Sequence, residues 1–213
     1  WEDYRDGGPH IRFAERPAGD GWEPSVKVDP STTKNQNSPQ IAVDGSGNLY
    51  AVWVDDRGAH PQIHFAYRPA GGEWAVTGPV SPASQPQDRP SLAVNRRGQA
   101  VTAWRQGTYP LYTVFCAIRP PGGDWGAGEQ LAGPGGNIVT ADVALDDWGR
   151  VYATWDDWDA NLVLFAERSP EGAWSAHQEV RDSAAGWPWA TQIAVDGTGN
   201  AHAVWEDGRS GGS

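Results

Sequence analysis

Ile41-Ala-Val-Asp-Gly-Ser-Gly-Asn-Leu-Tyr-Ala-Val-Trp53, followed by Ile63-His-Phe-Ala-Tyr-Arg-Pro-Ala-Gly-Gly-Glu-Trp74, is the clearest copy of a unit that recurs four times along the chain. The first tryptophan of the unit falls at Trp1, Trp53, Trp104, Trp155 and Trp205, in steps of 52, 51, 51 and 50 residues. The second falls at Trp22, Trp74, Trp125 and Trp174, and an arginine precedes each by six positions: Arg16, Arg68, Arg119 and Arg168. A period near 50 residues is that of a propeller blade, a small sheet that cannot bury its faces alone and stacks on its neighbours.

Four strands fit into each unit: A around Ile41 to Val43, B from Leu49 to Val54, C from Ile63 to Arg68, and D after Trp74. In B, Leu49, Ala51 and Trp53 point one way and Tyr50, Val52 and Val54 the other. Both faces are apolar, as a strand sandwiched between two sheets requires. The turn Asp44-Gly-Ser-Gly-Asn48 is matched by Asn95 to Gln99, Asp146 to Arg150 and Asp196 to Asn200. Gly47, Gly98, Gly149 and Gly199 share one place in it, where a positive φ is expected.

The expected architecture is an all-β propeller of four-stranded antiparallel blades, a single domain over residues 1–213. Complete repeats cover about 38–88, 89–138 and 139–188. The piece from 189–213 supplies strands A and B and the piece from 1–37 supplies C and D, so pairing the two termini would close a fourth blade and remove open edges. One conflict stands: Trp1-Glu-Asp-Tyr-Arg5 and Trp205-Glu-Asp-Gly-Arg209 are copies of the same strand end, and a closed four-blade ring holds one. Displacement of one copy, assembly of chains into a larger ring through unpaired terminal strands, and membership of a longer propeller all remain open.

Composition narrows the functions. A formal net charge of -11 repels a phosphate backbone or an anionic membrane, so neither nucleic acid nor membrane is an expected partner. No apolar stretch reaches the length of a membrane span, and the N-terminus lacks a signal-peptide pattern. Cys116, the single cysteine, occupies the strand C place held elsewhere by Phe13, Phe65 and Phe165, which reads as a buried, inert thiol. The five histidines have no metal-ligand spacing, and the Asp-Gly turns offer too few carboxylates for a calcium loop. No cofactor and no metal are expected.

These repeats resemble those of bacterial sialidase-like propellers that carry Asp-box motifs, Ser-x-Asp-x-Gly-x-Thr-Trp. Gly71 and Trp74 fit the motif, whereas Pro69 stands in place of its aspartate and Tyr67 in place of its serine. The resemblance spans the whole chain and implies the fold and an extracellular location. Members that cleave sialic acid use three arginines, a tyrosine nucleophile with a glutamate, and an aspartic acid/base at non-repeating places. That set does not map here, because Arg16, Arg68, Arg119 and Arg168 recur at one repeat position.

Candidate ligand contacts fall in the B to C loops and blade-to-blade connections, the face that usually binds ligands in such propellers. Asp3 and Arg5, Asp55 and Arg57, Asp157, and Asp207 with Arg209 form a set of carboxylates and guanidinium forks suited to hydroxyls or charges of a sugar or peptide. The same residues could equally cap their own loops. Trp158, Tyr109, Tyr112, Trp187 and Trp189 do not repeat, so the repeat cannot explain them; they could stack on sugar rings, plug the central channel or cover a gap between blades. Trp148 lies in an A to B turn on the opposite face. The expected function is a non-catalytic module that binds a glycan or a protein. A ligand-free structural propeller and a sialidase-type hydrolase are the other readings, and no catalytic residue is assigned.

Overall fold

The computed structural model describes residues 1–4, 8–31, 34–82, 84–131, 136–180 and 186–208. Among them every element is a β-strand. The first sheet holds β1 (Glu2–Asp3), β2 (His10–Phe13) and β3 (Val26–Lys27). Three four-stranded antiparallel sheets follow: β4 (Gln36–Val43), β5 (Leu49–Asp55), β6 (Gln62–Arg68) and β7 (Ala75–Pro79); β8 (Gln87–Val94), β9 (Ala100–Thr108), β10 (Leu111–Arg119) and β11 (Glu129–Gln130); β12 (Ile138–Leu145), β13 (Val151–Asp157), β14 (Leu162–Arg168) and β15 (Gln178–Glu179). The last sheet pairs β16 (Pro188–Val195) with β17 (Ala201–Asp207).

The three four-stranded sheets bury strand B between neighbours on both faces, which is why it is apolar on both sides there; β17, the copy in the last sheet, stays largely exposed, with Val204 65% exposed. Ile11 and Val28 of the first sheet pack on Ala51, Trp53 and Ala66 of the second. Val52, Phe65 and Ile63 meet Trp104 and Ala117 across the next gap, and Val101, Val114 and Cys116 meet Val143, Val151 and Trp155 across the one after. Trp53, Trp104 and Trp155 have no exposed surface. The innermost strands follow one another in the same order, β4 against β8, β8 against β12 and β12 against β16. Burial pushes the Cys116 thiol up, so this cysteine is an inert core residue.

The A to B turns explain the shared glycine. Gly47, Gly98, Gly149 and Gly199 have φ of 81°, 82°, 94° and 90°. In the first of these turns Asp44 Oδ1 accepts the amides of Ser46 (2.8 Å) and Asn48 (3.0 Å), while Oδ2 accepts Asn48 Nδ2 (2.8 Å) and the Tyr50 hydroxyl (3.1 Å). The carboxylate is spent on its own turn and its own strand. The Tyr50 hydroxyl also lies 3.3 Å from the Gly98 carbonyl, which links this turn to the next blade. A Cβ at Gly98 would stand 2.9 Å from that hydroxyl. Gly98→Ala is therefore expected to cost about 1–2 kcal/mol from the left-handed backbone, and more from the contact. Gly47→Ala, with its nearest neighbour at 3.5 Å, should cost less; urea unfolding of both variants checks the order.

Strand A departs from the sequence reading in two ways. It begins earlier, at Gln36, Gln87, Ile138 and Pro188, and each copy carries a register shift opposite strand B: Asn37 to Gln40, Asp88 to Ser91, Ile138 to Ala141 and Trp189 to Gln192. Ser38, Arg89 and Ala190 hold positive φ in these bulges, at 53°, 50° and 54°. Pro39 and Pro90 follow the first two, and a proline inside a strand is tolerated at such an irregularity because the ladder bond is already lost there.

Among the described residues the two chain termini do not pair. Trp1-Glu2-Asp3 takes the edge of β2, with Glu2 opposite Ile11 and Asp3 opposite His10. Val54 and Asp55 take the equivalent register on Ile63 and Gln62 in the second sheet. The N-terminal copy of the strand end thus fills the place expected for β17, and β17 pairs with β16.

Candidate functional site

The bulges set the geometry at the centre of the molecule. They turn residues of β4, β8, β12 and β16 toward a common hollow of about 560 Å³ lined by Ser38, Gln40, Arg89, Ser91, Thr140, Asp142 and Gln192. Its wall is a hydrogen-bonded ladder between blades. The Ser91 hydroxyl donates to Asp142 and accepts the Val143 amide (3.2 Å); Asp142 accepts the Ile193 amide (2.8 Å). The Thr191 amide donates to Thr140 Oγ1 (3.1 Å). One blade later in the sequence means one rung further round the hollow.

Thr140 in turn donates to Asp156, which also accepts the amides of Val139 (2.7 Å) and Thr140 (3.1 Å). Asp156 is completely buried. Burial raises its pKa, outweighing the hydrogen bonds from Thr140 and Val139 and the charge of Arg89. On the other side Arg105 grips Asp88 through two hydrogen bonds, one of 2.8 Å, and donates to the Ile138 carbonyl (3.0 Å).

A second hollow of about 370 Å³ shares Arg89, Thr140 and Ala190 with the first; its other walls are Val139, Trp158 and Trp189. Here the non-repeating tryptophans converge. Trp158 lies 6.3 Å from Trp187 with the rings inclined by 32°, and 6.5 Å from Trp189 edge to face. Trp189 is held by its Nε1, which donates to Glu206, while Trp187 is 64% exposed. The B to C loop of the fourth sheet and the connection into β16 supply the three rings, and the loop backbone holds them: the Trp158 amide donates to Asn137 and the Gly208 amide to the Trp187 carbonyl, both at 3.2 Å.

The other candidates separate into two groups. Tyr109 is 76% exposed at the tip of the β9–β10 hairpin, and Tyr112 lies beneath the Arg105 guanidinium at 4.0 Å from its ring centre. Neither joins the tryptophan stack. The carboxylate and guanidinium set mostly serves its own loops. Arg57 clasps Asp55 through Nε (2.8 Å) and Nη2 (2.7 Å) and reaches Asp29. Asp157 accepts the amides of Asp159 (3.1 Å) and Ala160 (3.0 Å); Asp3 stands 3.5 Å from Arg12 Nε; Asp207 closes β17 opposite Pro188. Arg5 and Arg209 lie outside the described residues.

Arg89, Ser91, Thr140, Asp142 and Asp156 escaped the sequence reading. They sit in strands A and B, where hydrophobic periodicity assigns a core role. The one signal available was the proline within strand A at Pro39 and Pro90, which marks the bulge.

No protein-family model matches the chain, and no curated protein matches it in sequence. Solved structures do resemble it. A Hadza microbial sialidase superposes with a TM-score of 0.58 at 15% identity over 87% of this chain and 43% of its own. A Dyadobacter fermentans protein of unknown function gives 0.60 at 11% identity over 90% and 62%, and the endo-arabinase from Bacteroides thetaiotaomicron 0.55 at 11% over 92% and 80%. The chain shares the propeller fold of these structures. It spans less than half of the sialidase and about three-fifths of the Dyadobacter protein. At such identities the likeness concerns the fold, and function rests on the site itself.

Proposed function

We propose that this propeller is a saccharide-binding module whose site is the tryptophan-walled hollow and the polar hollow beside it. The observation that carries the reading is the convergence of Trp158, Trp187 and Trp189 beside hydroxyl, amide and guanidinium groups of four blades. Sugar rings offer an apolar face for an indole and a rim of hydroxyls for polar anchors, so a mixed wall of this kind suits them. Two of the structural neighbours are by name a sialidase and an endo-arabinase, which adds support for a carbohydrate ligand.

Binding rather than hydrolysis is favoured by the state of the nearby carboxylates. Asp142 and Asp88 are occupied by Ser91, the Ile193 amide and Arg105, and Asp156 is buried behind Thr140. A glycosidase needs two carboxyl groups facing the scissile bond across a gap. Asp156 has the raised pKa of a general acid without the access of one.

The test is a glycan array that includes sialylated and arabinan-type oligosaccharides, probed with the wild type and a Trp187→Ala, Trp189→Ala double variant. Saturable binding is expected, weakened at least tenfold in the variant, an effect of about 1.4 kcal/mol or more. Trp187 is largely exposed but Trp189 is half-buried and bonded to Glu206, so thermal unfolding of the double variant is measured beside binding and should fall only modestly. Absence of binding to every glycan, or equal binding by the variant, overturns the assignment.

A further inference from the structure

Trp148 lies in the turn between β12 and β13, at the end of the sheets opposite the B to C loops that carry Trp158. Its place in the turn is held by Ser46, Arg97 and Thr198 in the other units, so the repeat does not call for an indole there. The ring is 58% exposed. No hydrogen bond or ring contact of its side chain exists among the described residues. A single exposed tryptophan is ordinary. This one stands between two hollows, of about 380 Å³ and about 350 Å³, and lines both.

The turn that presents it is braced. Asp146 Oδ1 accepts the amides of Trp148 (2.9 Å) and Arg150 (2.8 Å), and Oδ2 accepts the Tyr152 hydroxyl (3.2 Å). That hydroxyl also lies 3.3 Å from the Gly199 carbonyl of the following unit. The indole therefore projects from a backbone fixed to two blades, so binding has only the two side-chain torsions of the ring left to order. Polar groups flank it on both sides. Arg150 and Glu167 pair at 3.2 Å with side chains about two-fifths exposed, and Arg96 and Asp147 pair at 3.6 Å in solvent.

We infer that Trp148 is the platform of a second saccharide site, on the face opposite the first. One sugar ring packs its apolar face on the indole. Flanking residues of the same glycan chain run into the hollows on either side, where Arg150 and Glu167 on one side and Arg96 and Asp147 on the other meet their hydroxyls. The ion pairs supply donors and acceptors side by side, which hydroxyl pairs match and a bare hydrocarbon does not. With sites on opposite faces, one molecule bridges two glycan strands.

The experiment uses the intact chain and the same glycan array, probed with the wild type, Trp148→Ala, the Trp187→Ala, Trp189→Ala double variant and the triple variant. Beads coated with whichever printed glycan binds the wild type then report bridging. The double variant is expected to keep a weaker binding that the triple variant loses, and Trp148→Ala to bind the array yet fail to clump the beads. Clumping by Trp148→Ala equal to the wild type, or a double variant with no residual binding, overturns the second site and leaves the first. Full binding by the double variant that vanishes with Trp148→Ala overturns the first site and supports the second. A wild type that binds no glycan overturns both. Thermal unfolding of each variant checks that the fold is intact, including those that remove the half-buried Trp189.

Discussion

Trp104→Ala is expected to destabilise the chain by about 3–5 kcal/mol, the range for emptying a buried aromatic site. The indole has no exposed surface and lies almost parallel to Phe115, with ring centres 6.0 Å apart and planes inclined by 14°. It belongs to the apolar layer between the second and third sheets, with Val52, Ile63 and Phe65 on one side and Ala100 and Ala117 on the other. A Cβ placed on Gly128 would stand 3.1 Å from the Trp104 ring, so the backbone is already drawn up against it. Strands hydrogen-bonded on both sides collapse poorly into a hole, and the cavity term should survive. For a chain of this length the melting temperature should fall by roughly 6–20 °C. Trp104→Phe should cost clearly less, because among the described residues its Nε1 has no hydrogen-bond partner to lose. A shift of less than about 1 kcal/mol for the alanine variant in urea unfolding would show that blade-to-blade packing does not govern stability.

Arg57→Ala ranks second, and its signature lies in the pH dependence. The guanidinium joins Asp55 and Asp29, whose carboxyl groups are almost wholly buried. Removing it leaves two buried carboxylates without their cation. Breaking a buried pair from one side costs about 3–5 kcal/mol, and the 30% exposure of Arg57 lowers the expectation to about 2–4. Burial by itself would raise both carboxyl groups; the bonds from Arg57, with Gln36 and Trp53 at Asp55 and Ser31 at Asp29, outweigh it and hold both below the usual range. A carboxyl group whose folded pKa is depressed contributes stability above its unfolded value of about 3.9, and that contribution fades as the pH falls through the folded value. The wild type should therefore lose stability below about pH 4, and Arg57→Ala should lose less there. The difference between the two proteins is expected to be large at pH 7 and smaller at pH 3. Equal differences at both pH values would mean that packing of the arginine stem, rather than its charge, is what the substitution removes. Arg57→Lys should recover only part of the loss, since an ammonium cannot repeat the fork that meets Asp55 at two nitrogens.

The same cluster shows how a chemical pattern can be legible while its use is not. Asp55 and Arg57 stand in a loop where either a ligand or the loop itself could take them, and their types and spacing are compatible with both. The deciding partner, Asp29, comes from another blade 28 residues away. The tryptophans went the other way. Trp158, Trp187 and Trp189 stood out because the repeat does not contain them, and the fold does bring them together. Tyr109 and Tyr112 shared that property and did not join, because the β9–β10 hairpin extends to Leu111 and pairs Tyr112 with Gly107, beneath Arg105.

By itself the sequence determined the unit, its four strands, the two-sided burial of strand B in the three complete units and the glycine of each A to B turn. These are consequences of local chemistry: the two-residue alternation of a strand, the aromatic content of its faces, and the one residue type at ease with positive φ. Tertiary structure alone decided the bulges of strand A, the ladder from Ser91 through Asp142 to the Ile193 amide, the burial of Asp156 behind Thr140, and the edge of β2 taken by β1 rather than β17. The ladder joins units about 51 residues apart, the bulges and the burial of Asp156 arise where strands A and B of one sheet pair, and the β2 edge is a choice between chemically equivalent strand ends. A copy of a pattern carries no record of which other copy it will meet; stacking and edge pairing make that choice.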